Sequence, residues 1–146
     1  MPTTVSADPT ELANRLRPAL LRLNRELRRE IHSLGVTGGQ ATLLIQIKKE
    51  PGIGVNELAA RERMSAPGMS KAIARLEKAG LVRRTELADR RRVGLQVTEE
   101  GDRVLASVRR RRTAWLAERL RGLSPAELAQ LDDAVEPLLK LLEVAP

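Results

Sequence analysis

Apolar residues recur at helical spacing through the first third of the chain. Leu12, Leu16, Leu20, Leu23, Leu27 and Ile31 fall three or four positions apart, the period of one helix face. Asp8-Pro9-Thr10-Glu11 precedes them, offering a capping Asp, a Pro suited to the first helical position and a Glu able to reach back to the cap amide. The pattern predicts a long amphipathic helix. Pro18 lies inside it and lacks a backbone donor, which leaves a kink or an earlier start open. Thr37-Gly38-Gly39-Gln40 repeats the capping logic ahead of Leu43, Leu44 and Ile47, and Pro51-Gly52 closes this second, short helix. Val55 to Met64 carries Leu58, Ala59 and Met64 at helical spacing. Ser65 caps the next helix, whose Met69, Ala72, Ile73, Leu76 and Ala79 share one side before Gly80 ends it.

Beyond Gly80 the period falls to that of a strand. Val93, Leu95 and Val97 alternate with Arg92, Gly94 and Gln96, as in a half-buried strand. Leu81 to Glu86 pairs with it as the first arm of a hairpin, and Leu87 to Arg91 makes a polar, basic turn. Thr98 to Arg121 returns to helix through Val104, Leu105, Val108, Trp115, Leu116 and Leu120. Ser124-Pro125-Ala126-Glu127 then opens a last helix toward Val144, with Leu123 and Leu128 placed as a hydrophobic staple. Its stripe is Leu128, Leu131, Val135, Leu138 and Leu142, with a bend expected at Pro137. The fold class is mainly α with a small β-hairpin. At 146 residues the chain suits a single domain, 1–146, with one sizeable core.

Composition narrows the chemistry. Trp115 is the only aromatic residue, so the core is built from aliphatic side chains, which suits helices better than sheets. There is no cysteine and one histidine, which removes disulfides, thiol redox sensing and the usual zinc constellations. No metal and no cofactor is expected. No apolar run approaches the roughly 20 residues of a membrane span, and no signal-peptide pattern opens the chain, so a cytoplasmic location without membrane contact is expected.

Charge adds the direction. The net charge is +7, and the block from Arg61 to Arg92 alone carries +6, from ten basic and four acidic residues. A local basic footprint of this kind points to a polyanion such as double-stranded DNA. Two short helices joined by a tight connection and followed by a basic hairpin are the parts of a winged helix-turn-helix, whose second helix enters the major groove. With Met69, Ile73 and Leu76 inward, the outer side of that helix is Pro67, Ser70, Lys71, Ala74, Arg75 and Lys78. Ser, Lys and Arg suit base edges, small residues allow deep seating, and Ser65 at the helix start leaves amides to meet a phosphate. Arg83, Arg84, Arg90, Arg91 and Arg92 load the hairpin with charge that serves no core, as in wings that reach a minor groove or phosphates. Asp89 is expected to hold a tip arginine in position.

The run Thr37-x-x-Gln40, Glu57-Leu58-Ala59, Ser65-Ala66-Pro67-Gly68-Met69-Ser70-Lys71, Leu76-Glu77-Lys78-Ala79-Gly80-Leu81-Val82-Arg83-Arg84, Asp89-Arg90-Arg91 and Val97-Thr98-Glu99-Glu100-Gly101 resembles the MarR family of bacterial regulators. The order and spacing of the pieces, rather than any one, carry the resemblance, and the flanking helices extend it over nearly the whole chain. It implies a homodimer in which the first and last two helices interlock, a wing tip in the minor groove, and a near-palindromic operator, normally repressed. Residues 37–97 then form the DNA-binding lobe, and 8–34 and 98–144 the dimerisation helices. The resemblance carries Ser70, Lys71 and Arg75 over as groove contacts and Arg90 and Arg91 as wing contacts. Together with the direct reading, the DNA-facing set is Ser65, Pro67, Ser70, Lys71 and Arg75 on the helix and Arg84, Arg90, Arg91 and Arg92 on the wing. The dimer also has a physical basis, because the terminal stripes hold more leucine than one winged lobe can cover. Leu12, Leu16, Leu20, Leu131, Leu138 and Leu142 are the expected dimerisation residues.

Other features weigh less. Arg109 to Arg112 are consecutive on a helix and point in four directions, which favours solvated or intersubunit roles over direct phosphate contact, the other reading of the run. Trp115 reads as a core or interface residue, and His32 as a surface histidine. Many relatives in the family are released from DNA by small anionic or phenolic compounds bound between the dimerisation helices and the DNA-binding lobe; the resemblance leaves such an effector open here, and the sequence alone does not decide it. A different reading makes the chain a helical dimerisation adaptor that binds a protein partner and no longer reads DNA; the arginine-rich wing speaks against it. An enzyme is not expected, since no nucleophile-base motif or phosphate loop is present.

Overall fold

In the computed structural model, residues 7–86 and 93–143 are described. The order is α1 (Pro9–Glu30), a short 3-10 turn (His32–Leu34), α2 (Gly38–Lys49), α3 (Val55–Arg61), α4 (Ala66–Lys78), β1 (Val82–Glu86), β2 (Val93–Val97), α5 (Glu99–Arg121) and α6 (Pro125–Glu143). The starts follow the predicted chemistry. Asp8 accepts from the Glu11 amide at 3.1 Å. Thr37 and Gln40 close a full capping box, at 3.1 Å into the Thr37 hydroxyl and 3.0 Å from its amide. Ser124 and Glu127 do the same ahead of α6, at 3.2 and 3.0 Å. Each satisfies amides that a helix start otherwise leaves unpaired. α1 runs without interruption through Pro18, and α6 through Pro137.

The core is aliphatic and sits between residues 31 and 108. Ile31, Leu44, Ile47, Ile53, Leu58, Met69, Ile73, Leu76 and Leu95 are fully buried, and Leu105 and Val108 of α5 close one side. α1 and α6 contribute no buried residue. Trp115 lies outside this core, half-buried on α5.

β1 and β2 pair antiparallel, Val82 opposite Val97 and Glu86 opposite Val93. One element was not visible in the pattern. Ile53 bridges to Leu95 as a single-residue third strand, donating from Leu95 to the Ile53 carbonyl at 2.9 Å and from Gly52 to the Leu95 carbonyl at 2.8 Å. A Cβ at Gly94 would lie 2.6 Å from the Gly52 carbonyl oxygen, so glycine is what lets the wing lie against the α2–α3 connection. At the other junction, Gly80 in the left-handed region (φ 78°) ends α4, as predicted. Thr98 then ties α5 to the same turn, its hydroxyl donating to the Gly80 carbonyl at 2.6 Å. α4, the hairpin and the start of α5 thereby share one anchored corner.

Candidate nucleic-acid interface

The helix-turn-helix is set by a tight reversal after α3. The sequence pattern ran helix to Met64; the structure ends it at Arg61, because Arg63 takes a left-handed conformation (φ 53°). The Met64 amide then donates back to the Ala59 carbonyl at 2.9 Å and the Arg63 amide to Ala60 at 3.3 Å, closing the helix as glycine usually does. Ser65 starts α4, its hydroxyl oxygen accepting from the Gly68 amide at 3.1 Å. A Cβ at Gly68 would stand 2.9 Å from that oxygen, so the glycine inside the first turn leaves room for the cap.

Met69, Ile73 and Leu76 are buried, and Pro67, Ser70, Lys71, Ala74, Arg75 and Lys78 are exposed, the two faces that the spacing predicted. Three buried anchors over two turns hold the outer face against rotation, which is what a base-reading helix requires.

Among the described residues, Lys71, Arg75 and Lys78 have no acidic partner, whereas other cations of the basic block do. Arg61 lies between Glu50 and Glu57, at 3.2 Å from the latter. Arg84, expected at the wing, stands at the base of the hairpin with its Nε 2.8 Å from Glu77 of α4. It links the wing to the recognition helix instead of projecting freely. Arg83 donates to Gln96 across the strands at 2.9 Å. Arg90, Arg91 and Arg92, expected at the wing, and Asp89 lie outside the described residues. Sequence reading missed the Glu77–Arg84 tie, for which an acid inside an otherwise basic helix was the only signal, and the left-handed Arg63, which has none.

A cleft of about 520 Å³ opens between α2 and α5. Ile45, Leu105 and Val108 give it apolar lining, and Lys48, Lys49 and Arg109 give it positive charge. Lys48 pairs with Asp102 at 2.7 Å. Arg112, also at this cleft, has its guanidinium pushed below the usual arginine value, first by burial and then by Arg28 nearby. Its Nε meets no hydrogen-bond partner among the described residues. Arg110 turns instead to Ser107, at 3.2 Å, whereas Arg109 and Arg112, one turn apart, share this cleft, so the four arginines do not all point apart. His32 is exposed.

The leucines expected at a dimer interface are uncovered in the single chain. Leu12 is 46% exposed, Leu20 43%, Leu131 48% and Leu142 84%, while Leu16 and Leu138 are half-buried. Among the described residues no helix is long and apolar enough to cross a membrane, and no cluster of His, Asp or Glu is arranged to hold a metal ion.

Residues 34–92, which hold the helix-turn-helix and β1, match the profile of the MarR family. An HTH-type transcriptional regulator of Mycobacterium tuberculosis is 36% identical over 136 residues, 92% of this chain and 95% of that protein. The HTH-type transcriptional repressor MdtR of Bacillus subtilis is 31% identical over 110 residues, 75% of this chain and 71% of its own length. Among solved structures, that of a proposed transcriptional regulator of Pseudomonas aeruginosa superimposes with a TM-score of 0.82 at 31% identity, covering 93% of this chain and 96% of the other. With a winged helix-turn-helix, an exposed basic face on α4 and relatives matched over most of their length, the chain belongs to the MarR family and is a DNA-binding transcription regulator.

Proposed function

We propose that the protein is a homodimeric repressor of a near-palindromic operator. α4 enters the major groove, where Ser70, Lys71 and Arg75 read base edges, and Ser65 and Pro67 set its first turn against the backbone. The arginines of the hairpin, Arg90, Arg91 and Arg92, meet the minor groove or its phosphates, with Arg84 holding the wing to α4. The observation that carries this reading is the exposed row Ser70, Lys71 and Arg75, free of acidic partners among the described residues and fixed from behind by fully buried Met69, Ile73 and Leu76. An adaptor that only bound a protein would gain nothing from such a row. Repression is the sense that the relationship to the Bacillus subtilis repressor supports.

The second element is release by a small anionic or phenolic compound in the cleft between α2 and α5. Apolar lining with Lys48, Lys49, Arg109 and Arg112 around it suits an organic anion, and Arg112 is short of a partner there. Such a ligand would touch both the DNA-binding lobe and the helix that leaves it, which is the geometry needed to bias their relative positions.

Selection of genomic fragments by the purified protein at near-physiological salt tests the main claim. The expected product is an inverted repeat with half-sites about one helical turn, roughly 10 bp, apart. Enrichment no better than random would overturn it.

A further inference from the structure

Among the described residues, left-handed backbone occurs at Gly35, Gly52, Gly80 and Arg63. Three of these positions carry the residue that the conformation favours, and the fourth, with φ 53°, carries an arginine. Crowding at Cβ makes this backbone unfavourable for residues other than glycine, with asparagine and aspartate tolerated because a short polar side chain can bond locally. Arg63 supplies no such bond. Its side chain is exposed and, among the described residues, makes no hydrogen bond or ion pair. Arg61, two residues earlier, is by contrast held by Glu50 and Glu57. Backbone strain with no visible return to the fold is characteristic of binding sites.

The position of this turn is what gives the side chain a use. Arg63 precedes by two residues Ser65, whose hydroxyl caps α4, so the two Cα atoms are at most about 7.6 Å apart. Met64 between them is 40% exposed and lies against the first turn of α4, its Cε 4.0 Å from where a Cβ on Gly68 would stand. The turn therefore hugs the leading end of the recognition helix.

We propose that Arg63 is a phosphate contact at the edge of the major groove, a member of the DNA interface outside the face formed by Ser70, Lys71 and Arg75. The proposal rests on α4 as the groove helix, the reading given above. A helix-turn-helix meets base edges with the leading part of its second helix, and the sugar-phosphate backbone borders the groove there. A long cation held just ahead of that helix reaches the border while the outer face reaches the bases. Phosphate contacts fix position and orientation without reading sequence, so Arg63 sets how α4 sits in the groove of any duplex. Glycine at this position would ease the turn and remove the contact.

The test compares Arg63→Gly, Arg63→Asn and Arg63→Lys in the full chain, with Lys71→Ala as a groove control. Each variant is followed by thermal melting and by binding to two duplexes of equal length, the inverted repeat enriched from genomic fragments and a scrambled sequence, over a range of salt. Arg63→Gly and Arg63→Asn are expected to melt no lower than the parent and yet to bind both duplexes about tenfold less tightly at near-physiological salt. Their slope of log K against log salt is expected to be shallower by about 1.8, from two phosphates per dimer at about 0.9 each. Arg63→Lys is expected to keep most of the slope, and Lys71→Ala to lower the preference between duplexes instead. Arg63→Gly and Arg63→Asn that bind with the parent's affinity and slope, while Lys71→Ala loses preference, would overturn the contact and leave the groove helix standing. Weaker binding that accompanies a lower melt would also overturn it, making Arg63 a support of the turn. A parent without preference between the duplexes would overturn the groove reading and the contact with it.

Discussion

The middle and the ends of this chain use the same residues for opposite purposes. From Ile31 to Val108, aliphatic side chains and Met69 close a core within one chain, with nine large side chains fully buried among the described residues. In α1 and α6 the same residue types, at equally regular helical spacing, are at most half-buried. Periodicity therefore establishes that a helix has an apolar face but not where its cover comes from. The difference lies in connectivity. α2, α3, α4 and the hairpin are joined by turns short enough to fold back on one another, whereas α1 and α6 reach beyond the lobe, and a stripe left in water calls for a second surface.

The sharpest way to test that contrast is to truncate one leucine from each region. Leu76→Ala is expected to cost the lobe about 2–5 kcal/mol, read as a lower urea midpoint at any protein concentration. Leu131→Ala is expected to leave the lobe's midpoint within about 0.5 kcal/mol while weakening association. Equal losses in both variants, independent of concentration, would erase the distinction between the regions.

Next in size are the outer residues of α4. Lys71→Ala and Arg75→Ala are expected to lose about 1–3 kcal/mol of discrimination for any base each contacts, with stability unchanged because both side chains are exposed. The check is competition between operator and scrambled duplex. A smaller effect, of opposite sign for folding, is expected at Arg63. Replacing this left-handed residue (φ 53°) by glycine relieves backbone strain, for a net gain of about 0.5–1 kcal/mol after glycine's larger unfolded-state entropy. A thermal melt of Arg63→Gly that falls instead of rising would show that its side chain supports the turn.

Most of the fold was legible for identifiable reasons. Helix starts were marked by Asp8-Pro9, Thr37-Gln40 and Ser124-Pro125-Glu127, where side chains satisfy specific amides, so their signal is local. The outer face of α4 followed from Met69, Ile73 and Leu76 alone. What escaped the sequence depends on tertiary approach. The one-residue strand at Ile53 exists only because Leu95 comes to it. The end of α3 depends on a conformation that Arg63 does not advertise. Arg84 looked like one more wing cation, and its pairing with Glu77 appears only when β1 is laid beside α4. The basic count of the block did not distinguish arginines paired within the chain from exposed cations that have no acidic partner among the described residues.

The smallest expected effect is at the entrance to α6. Hydrogen bonds from Ser124, the backbone amide first, hold the exposed Glu127 carboxyl below its ordinary value of 4.5. A carboxyl with a lowered folded pKa contributes its stabilisation above the unfolded value and loses it as pH falls through the folded one. The start of α6 is therefore expected to fray as pH drops below about 4.5 toward the lower folded value, and Glu127→Gln to remove that dependence. Amide chemical shifts of Ser124 and Glu127 across this range report it.

The division between a self-contained reading lobe and ends completed by a second chain is tested most directly by hydrogen exchange, measured with and without operator DNA and across protein concentration. DNA is expected to slow exchange in α4 and the hairpin, while dilution speeds it in α1 and α6 and leaves the α2–α4 core protected. Protection of α6 that persists at every dilution, or a DNA footprint on α1 and α6 with α4 unchanged, would contradict the account.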